Sequence, residues 1–254
     1  MLRRFVLLAA LVLAAPALRA AEITVMTSGG FNAAYEALAP VFERETGHRL
    51  VTLRGASMGA APDAIPNRLA RGEAADVLIL AAEALDALAQ RGFVRPGSRT
   101  DLVVSRIGAS VRAGGPRWDI STEEGLRRAL LEAPSIAYSA SASGEYLSRE
   151  LFARLGLAEL VMPKARRIYS ERVGSVVARG EAALGFQQIS ELLPIAGLDF
   201  LGPLPESLQR VTVFSAGIAA NAREEEAARA LIEFLAGPRA YEAARALGLD
   251  PIAR

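Results

Sequence analysis

The chain reads as an α/β protein whose sheets carry helices on both faces. Three observations predict this. A short apolar strand, a turn of small and polar residues and an amphipathic helix succeed one another over residues 22–45. The same order returns at residues 50–71, 76–91 and 135–155, which argues for strands joined by helical crossovers. The length of 254 residues leaves about 230 after a leader is removed, enough for one large domain or two medium ones.

The leader comes first. Met1-Leu-Arg-Arg is a positive start, residues 5–15 are an apolar run, and together they form a signal peptide over residues 1–20. Cleavage after Ala20 and cleavage after Ala15-Pro16-Ala17 both stay open. The run is short for a membrane span and no later uninterrupted run is long enough either, so the expectation is an exported, periplasmic protein with no membrane insertion after processing. Losing Arg3, Arg4 and Arg19 takes the formal net charge from +1 to −2. That balance, without an arginine run, excludes a general nucleic-acid binder. There is no cysteine, hence no disulfide framework, thiol nucleophile or cysteine metal site.

Ile23 and Val25 start the first strand, and Phe31, Tyr35, Leu38 and Phe42 lay an apolar stripe along the first helix. Between them stand Ser28, Gly29 and Gly30, where unpaired amides at a helix start can face an anion. Residues 50–53 form a strand, Arg54-Gly-Ala-Ser-Met-Gly a turn, and residues 63–71 a helix with Pro66 near its entry. Asp76-Val-Leu-Ile-Leu is a compact strand ahead of a helix at 84–91. Residues 102–112 are extended, and hydropathy alone leaves open whether they cross between lobes or stay in one sheet. Ser121 and Glu124 have the spacing of a capping box for a helix whose buried stripe is Leu126, Leu130 and Leu131. Residues 135–139 form a strand, Ala140-Ser-Ala-Ser-Gly a turn, and a helix runs to Leu155. A helix at 173–179 precedes a strand at 183–186 that exits at Gln187 and Gln188. Residues 202–205 read as a rigid loop, 211–214 as a strand, 224–235 as an amphipathic helix, and 239–247 as a last helix after Gly237-Pro238.

The serine turn before the first helix, the Gly-Ala-Ser turn at 55–57, Ala75-Asp76-Val77, the small-residue turn before Gly144 and the stretch from Arg172 to Gln188 stand in an order that resembles the periplasmic molybdate-binding-protein-like family of ABC-type substrate-binding proteins. The resemblance spans residues 23–249 and implies a two-lobed, type II periplasmic binding protein fold. Lobe I would comprise residues 22–105 and 211–254, and lobe II residues 106–210. It also implies an anion held between the lobes, contact positions at Ser28, Ser57, Ala142 with Ser141 and Ser143, and Val173, and an ABC permease as partner. The family's tyrosine position falls on Gln187 or Gln188, an amide in place of a phenol.

At the positions the resemblance implies, the hydroxyls of Ser28, Ser57, Ser141 and Ser143, with amides near Gly29, Met58, Ala142 and Val173, would make a donor cage. Arg172 beside it suits a carboxylate, so a small organic anion is favoured over a tetrahedral oxyanion such as molybdate. Tyr138 and Tyr146 are candidates to wall the cleft, with core packing the stronger reading for Tyr146. Arg54 reads as solvent-facing, and His48, the one histidine, as a structural loop residue. No nucleophile elbow or phosphate loop is present, and Asp63, Asp76 and Glu171 read as caps or surface residues. The expectation is therefore a monomeric binding protein without metal or cofactor, capturing an anion for import rather than an enzyme. The alternatives are a ligand sensor and a carboxylate isomerase or tautomerase that uses Arg172 and a nearby acid or base.

Overall fold

A computed structural model describes residues 20–169 and 171–253; the signal peptide expectation lies outside them. The first half of the chain runs β1 (Glu22–Ser28), α1 (Gly29–Thr46), β2 (Arg49–Gly55), α2 (Ile65–Ala70), β3 (Val77–Ala81), α3 (Ala82–Gln90), β4 (Thr100–Ser105), β5 (Ile107–Arg112) and α4 (Glu123–Glu132). The second half runs β6 (Ile136–Ser139), α5 (Ala142–Tyr146), α6 (Phe152–Arg154), α7 (Ala158–Val161), β7 (Ala165–Ile168), α8 (Val173–Ala178), β8 (Leu184–Gln188), α9 (Ile189–Leu192), β9 (Leu198–Pro203), β10 (Thr212–Ile218), α10 (Glu225–Ala236), α11 (Pro238–Ala246) and β11 (Leu249–Pro251).

These strands form two sheets, and the molecule has the two-lobed α/β fold of type II periplasmic binding proteins. One sheet has six strands in the order β11-β4-β10-β3-β1-β2, parallel among β3, β1 and β2 and antiparallel where β10 returns against β3 and β4. The other has five, in the order β7-β6-β8-β5-β9. Strand β3 shows why the first sheet carries helices on both faces. Val77 and Ile79 join the core under α1 and α10, whereas Leu78 and Leu80 join the core beneath α2 and α3. Successive side chains of a strand point oppositely, so an unbroken apolar run has to be covered twice.

The extended stretch at 102–112 is two strands in two sheets, β4 and β5, with Arg106 at the crossing. The chain crosses back between β9 and β10. Glutamine amides hold this double crossing. Gln209 accepts from the Ile107 N–H at 2.9 Å and donates to the Ile107 carbonyl at 3.0 Å. Gln188 accepts from Ser105 Oγ at 2.7 Å and donates to Thr212 Oγ1 at 3.2 Å.

Several local expectations change. Thr122, rather than Ser121, caps α4, accepting from Gly125 N–H at 3.1 Å, while the Ser121 amide donates to Asp119. Leu131 is 46% exposed; the buried stripe is Leu126, Ala129 and Leu130. Residues 165–168 and 198–203 are strands although they contain Arg166, Arg167, Asp199 and Pro203, because both lie at edges of the second sheet, where charge and proline are tolerated. Tyr138 and Tyr146 are buried in the core of the second lobe, the former packed edge-on against Phe152 and the latter donating to the Leu208 carbonyl at 2.8 Å. His48 is buried, stacked on Phe42, and accepts from the Ala21 amide at 3.1 Å.

Asp76, 5% exposed, is the main polar tie of the first lobe. One carboxylate oxygen accepts from Thr24 N–H at 2.8 Å, and the other from Arg223 N–H at 2.7 Å and Glu224 N–H at 3.2 Å, which fixes the chain just ahead of α10. Truncation leaves three backbone donors without their acceptor, so Asp76→Ala is expected to lower stability by about 3 kcal/mol or more. A urea titration of the variant against the unsubstituted protein checks this; a loss below about 1 kcal/mol would contradict it.

Candidate active site

A cleft of about 270 Å³ opens between the two sheets, small for a ligand site, since such pockets commonly span about 300–1,000 Å³. From the first lobe it is lined by the β1–α1 junction (Ser28, Gly29, Gly30), by Asn32 in α1, and by Arg54, Gly55, Ala56 and Ser57 at the end of β2 and just beyond it. From the second it is lined by Ser139 to Ser143 from the end of β6 into α5, by Tyr169, Glu171 and Arg172 before α8, and by Gln187, Gln188 and Glu191 around the β8–α9 junction. All of these come from strand ends or helix starts, where side chains and unpaired amides converge on the crevice.

The proposed cage residues meet this cleft unevenly. Ser28, Gly29, Ser57, Ser141, Ala142, Ser143, Arg172, Gln187 and Gln188 line it. Met58 lines a neighbouring cavity of about 480 Å³ instead. Val173 is fully buried, and its amide is spent on Gln187. Ser28 occupies the N-cap position of α1 but makes no capping bond with its side chain. Its oxygen accepts from Ser57 Oγ at 2.9 Å, and Ser57 in turn accepts from the Ala81 amide at 2.9 Å. The chain of donation therefore ends on Ser28, whose own hydroxyl proton is left to point elsewhere, polarised by the two bonds behind it. Across the cleft Ser139 and Ser143 share one hydrogen bond of 2.9 Å. Both Gln188 polar atoms are committed to Ser105 and Thr212 at the crossing.

Four charged residues besides Glu191 border the space. Arg54 pairs with Glu36 at 2.8 Å, and Glu171 pairs with Arg179 at 3.0 Å. Asp63 and Arg172 complete the set, Arg172 half-buried at the N-cap of α8. Asn32 is 6% exposed and its Oδ1 is buried without a hydrogen-bond partner.

Glu191 is the residue that sequence reasoning missed. It stands in the single turn of α9, which leaves β8 and packs over the start of α1; the neighbouring Ser190 Oγ donates to the Gly30 carbonyl at 2.6 Å across the lobes. Its carboxyl lies over Gly29 so closely that a Cβ on Gly29 would stand 2.0 Å from Oε1. Gln187 Nε2 donates to Oε1 at 2.7 Å. Glu191 is half-buried and lines the cleft, and the protein packed around it withdraws its carboxyl from water. Desolvation pushes its pKa up from 4.5 to about 7, with the Arg172 charge and the Gln187 hydrogen bond pulling the other way. The only sequence signal was the four-residue spacing of Gln187 and Glu191 across a strand exit. In the run Ile189-Ser-Glu-Leu-Leu a lone glutamate otherwise reads as a solvated helix start.

A half-ionised carboxylate beside an arginine, in a crevice lined with neutral donors, can hold an anionic molecule and move a proton on it. Among the described residues no group of three His, Asp or Glu side chains is placed to hold a metal ion.

Residues 23–250 match the family model of bacterial extracellular solute-binding proteins. The chain is 46% identical over 249 residues to aconitate isomerase from Pseudomonas sp, covering 96% of this chain and 95% of that one. It is 27% identical over 244 residues to the molybdate-binding protein of Azotobacter vinelandii, covering 93% and 92%. The solved structure of the Azotobacter vinelandii periplasmic molybdate-binding protein superposes with a TM-score of 0.73 over 89% of this chain and 98% of that one, at 25% identity. The ferric binding protein from Campylobacter jejuni does so with 0.65 over 91% and 87%, at 13% identity, a likeness of fold alone.

These figures correct three expectations. The molybdate-type resemblance gives way, because the far higher identity is to an enzyme. Passive capture for ABC import gives way with it, as does the expectation of a protein that is not an enzyme. The fold itself is shared with substrate-binding components of ABC transporters, which partner a membrane permease. The chain is an exported periplasmic protein whose matched region begins just past the leader-like segment. None of its described helices is long and apolar enough to cross a membrane.

Proposed function

We propose that this chain, which belongs to the bacterial extracellular solute-binding protein family, uses the crevice between its lobes for catalysis: it interconverts cis- and trans-aconitate, with Glu191 as the proton carrier. The observation that carries the reading is the Glu191 carboxyl on the cleft wall, packed over Gly29 and bonded to Gln187, whose pKa desolvation raises to about 7. The aconitate isomerase relative supplies the substrate.

The chemistry asks for such a group. Aconitate is a propene bearing three carboxylates, and its methylene lies between a carboxylate and the double bond. Glu191 takes one methylene proton, and the C–H electron pair spreads over the three-carbon unit and its carboxylates. Return of a proton to the former vinyl carbon leaves the double bond on the other side. The constitution is unchanged, and the new bond forms cis or trans according to how the bound chain is folded. A base whose pKa lies near the working pH has ionised population and proton affinity together. Arg172 holds a carboxylate as a fork and stabilises the charge that spreads into it, while the Ser28 hydroxyl and the free amides opening α1 serve a second carboxylate.

Incubating the purified protein with either isomer and following the other by liquid chromatography tests the reading. Conversion in both directions supports it; tight binding of aconitate with no conversion contradicts it.

Gly29 is required by this arrangement. Gly29→Ala places a methyl group where the Glu191 carboxylate stands, and a flexible carboxylate yields more readily than backbone. The expected result is a fall in kcat of about tenfold or more. The measurement is steady-state kinetics with a thermal melt as control, and unchanged kcat in a folded variant would contradict it.

A further inference from the structure

We infer that Gln187 is the positioning residue for Glu191, an amide locked in one orientation so that its nitrogen serves the carboxyl and nothing else. This rests on the reading of Glu191 as proton carrier. Gln187 is the next-to-last residue of β8 and is 3% exposed. Its Oε1 accepts from the Val173 amide at 2.8 Å, and its Nε2 donates to Glu191 Oε1 at 2.7 Å. A backbone N–H can only donate, so the atom facing Val173 has to be the amide oxygen, and the NH₂ group is thereby turned toward Glu191. The Val173 donor is itself one of the amides that a helix start leaves without an internal partner, which makes the anchor independent of any ligand. Gln187 thus converts the start of α8 into a fixed support for a side chain on α9, and Gly29 supplies the room on the other side.

The consequence is both geometric and electrostatic. The carboxyl oxygen bonded to Gln187 is held back, which assigns the substrate proton to the other, Oε2. A donor aimed at the carboxylate favours its charged form, against the desolvation that opposes it. Of the charged groups bordering the cleft, Arg54 and Glu171 are engaged with Glu36 and Arg179, and Asp63 lies on the first-lobe wall. Arg172 is the one whose charge acts on Glu191. Gln187 is therefore the second of two groups that keep Glu191 partly ionised at neutral pH.

The test uses the mature protein and Gln187→Met, which keeps length and loses both polar atoms. The Glu191 side-chain carbon is titrated by NMR without substrate, and the pH profile of kcat/KM is measured with aconitate. The midpoint of Glu191 is expected to move upward by about one pH unit or more, and the acid limb of kcat/KM to move with it. kcat is expected to fall about tenfold or more while KM changes little. An unmoved Glu191 midpoint in the folded variant overturns the inference. Should Gln187→Met not fold, the unsubstituted protein still decides: the Gln187 side-chain amide signals have to titrate with the Glu191 midpoint, and flat signals overturn it. Both NMR readouts need no turnover. Retained turnover in Glu191→Gln would instead remove the isomerase reading, so the two failures are separable.

Discussion

Replacing Glu191 by glutamine is expected to lower kcat by roughly 10²–10⁴-fold while leaving aconitate affinity within several-fold. The glutamine keeps the shape and can still accept from Gln187 Nε2, but it cannot take up a proton from carbon. The same residue sets the pH dependence. With a pKa near 7, the carboxyl is mostly protonated at pH 6, so kcat/KM is expected to rise through about pH 7 and then level. In Glu191→Gln that rise should vanish. Stability carries the opposite sign. A carboxyl whose pKa is raised from 4.5 to about 7 on folding contributes stability fully below 4.5 and loses it as pH rises through 7. Glu191→Gln should therefore match the unsubstituted protein at pH 4 and be the more stable of the two at pH 8. Urea titrations at both values check this, and equal stability at pH 8 would mean that Glu191 is not desolvated.

The second large effect is expected at Arg172. Arg172 borders the cleft at the N-cap of α8, and its charge opposes the desolvation of Glu191. Arg172→Ala removes a charge-assisted contact to a substrate carboxylate, worth about 1.5–3 kcal/mol, so kcat/KM should fall roughly 10–150-fold, mostly through KM. It also removes the charge that favours ionised Glu191, so the acid limb should move to higher pH. Arg172→Lys should recover the position of the limb better than the affinity, because an ammonium supplies charge without a two-pronged fork. An Arg172→Ala enzyme with unaltered KM and pH profile would place Arg172 outside the reaction.

The alternation of apolar strands with small-residue turns and helices made the α/β fold readable, and Phe31, Tyr35, Leu38 and Phe42 all lie in the core as their spacing requires. Edge strands were the loss: residues 165–168 and 198–203 carry charge and proline because half of each is unpaired. The cleft was legible on its neutral side, where Ser28 and Ser57 bond to each other across 29 positions of sequence. The residue proposed as proton carrier was not. Glu191 is ordinary in sequence and becomes unusual only when α9 packs on α1 and Gly29 leaves it room. Burial created by tertiary packing, rather than residue type, sets its proton affinity. Arg172 and the carboxylate preference pointed toward an isomerase, yet without a visible base the binding-protein reading prevailed.

The central claim is that Glu191 moves a proton along three carbons of a tricarboxylate held between the lobes. Aconitate deuterated at the methylene tests it most directly, with the product isomer read by proton NMR. If the double bond migrates, the old methylene carbon becomes the vinyl carbon, and the product carries deuterium at its vinyl position whatever proton returns to the other end. Glu191→Gln should form no such product. A product isomer that keeps its vinyl proton and both methylene deuterons would mean that the geometry changes without proton transfer, and the account of Glu191 would be wrong.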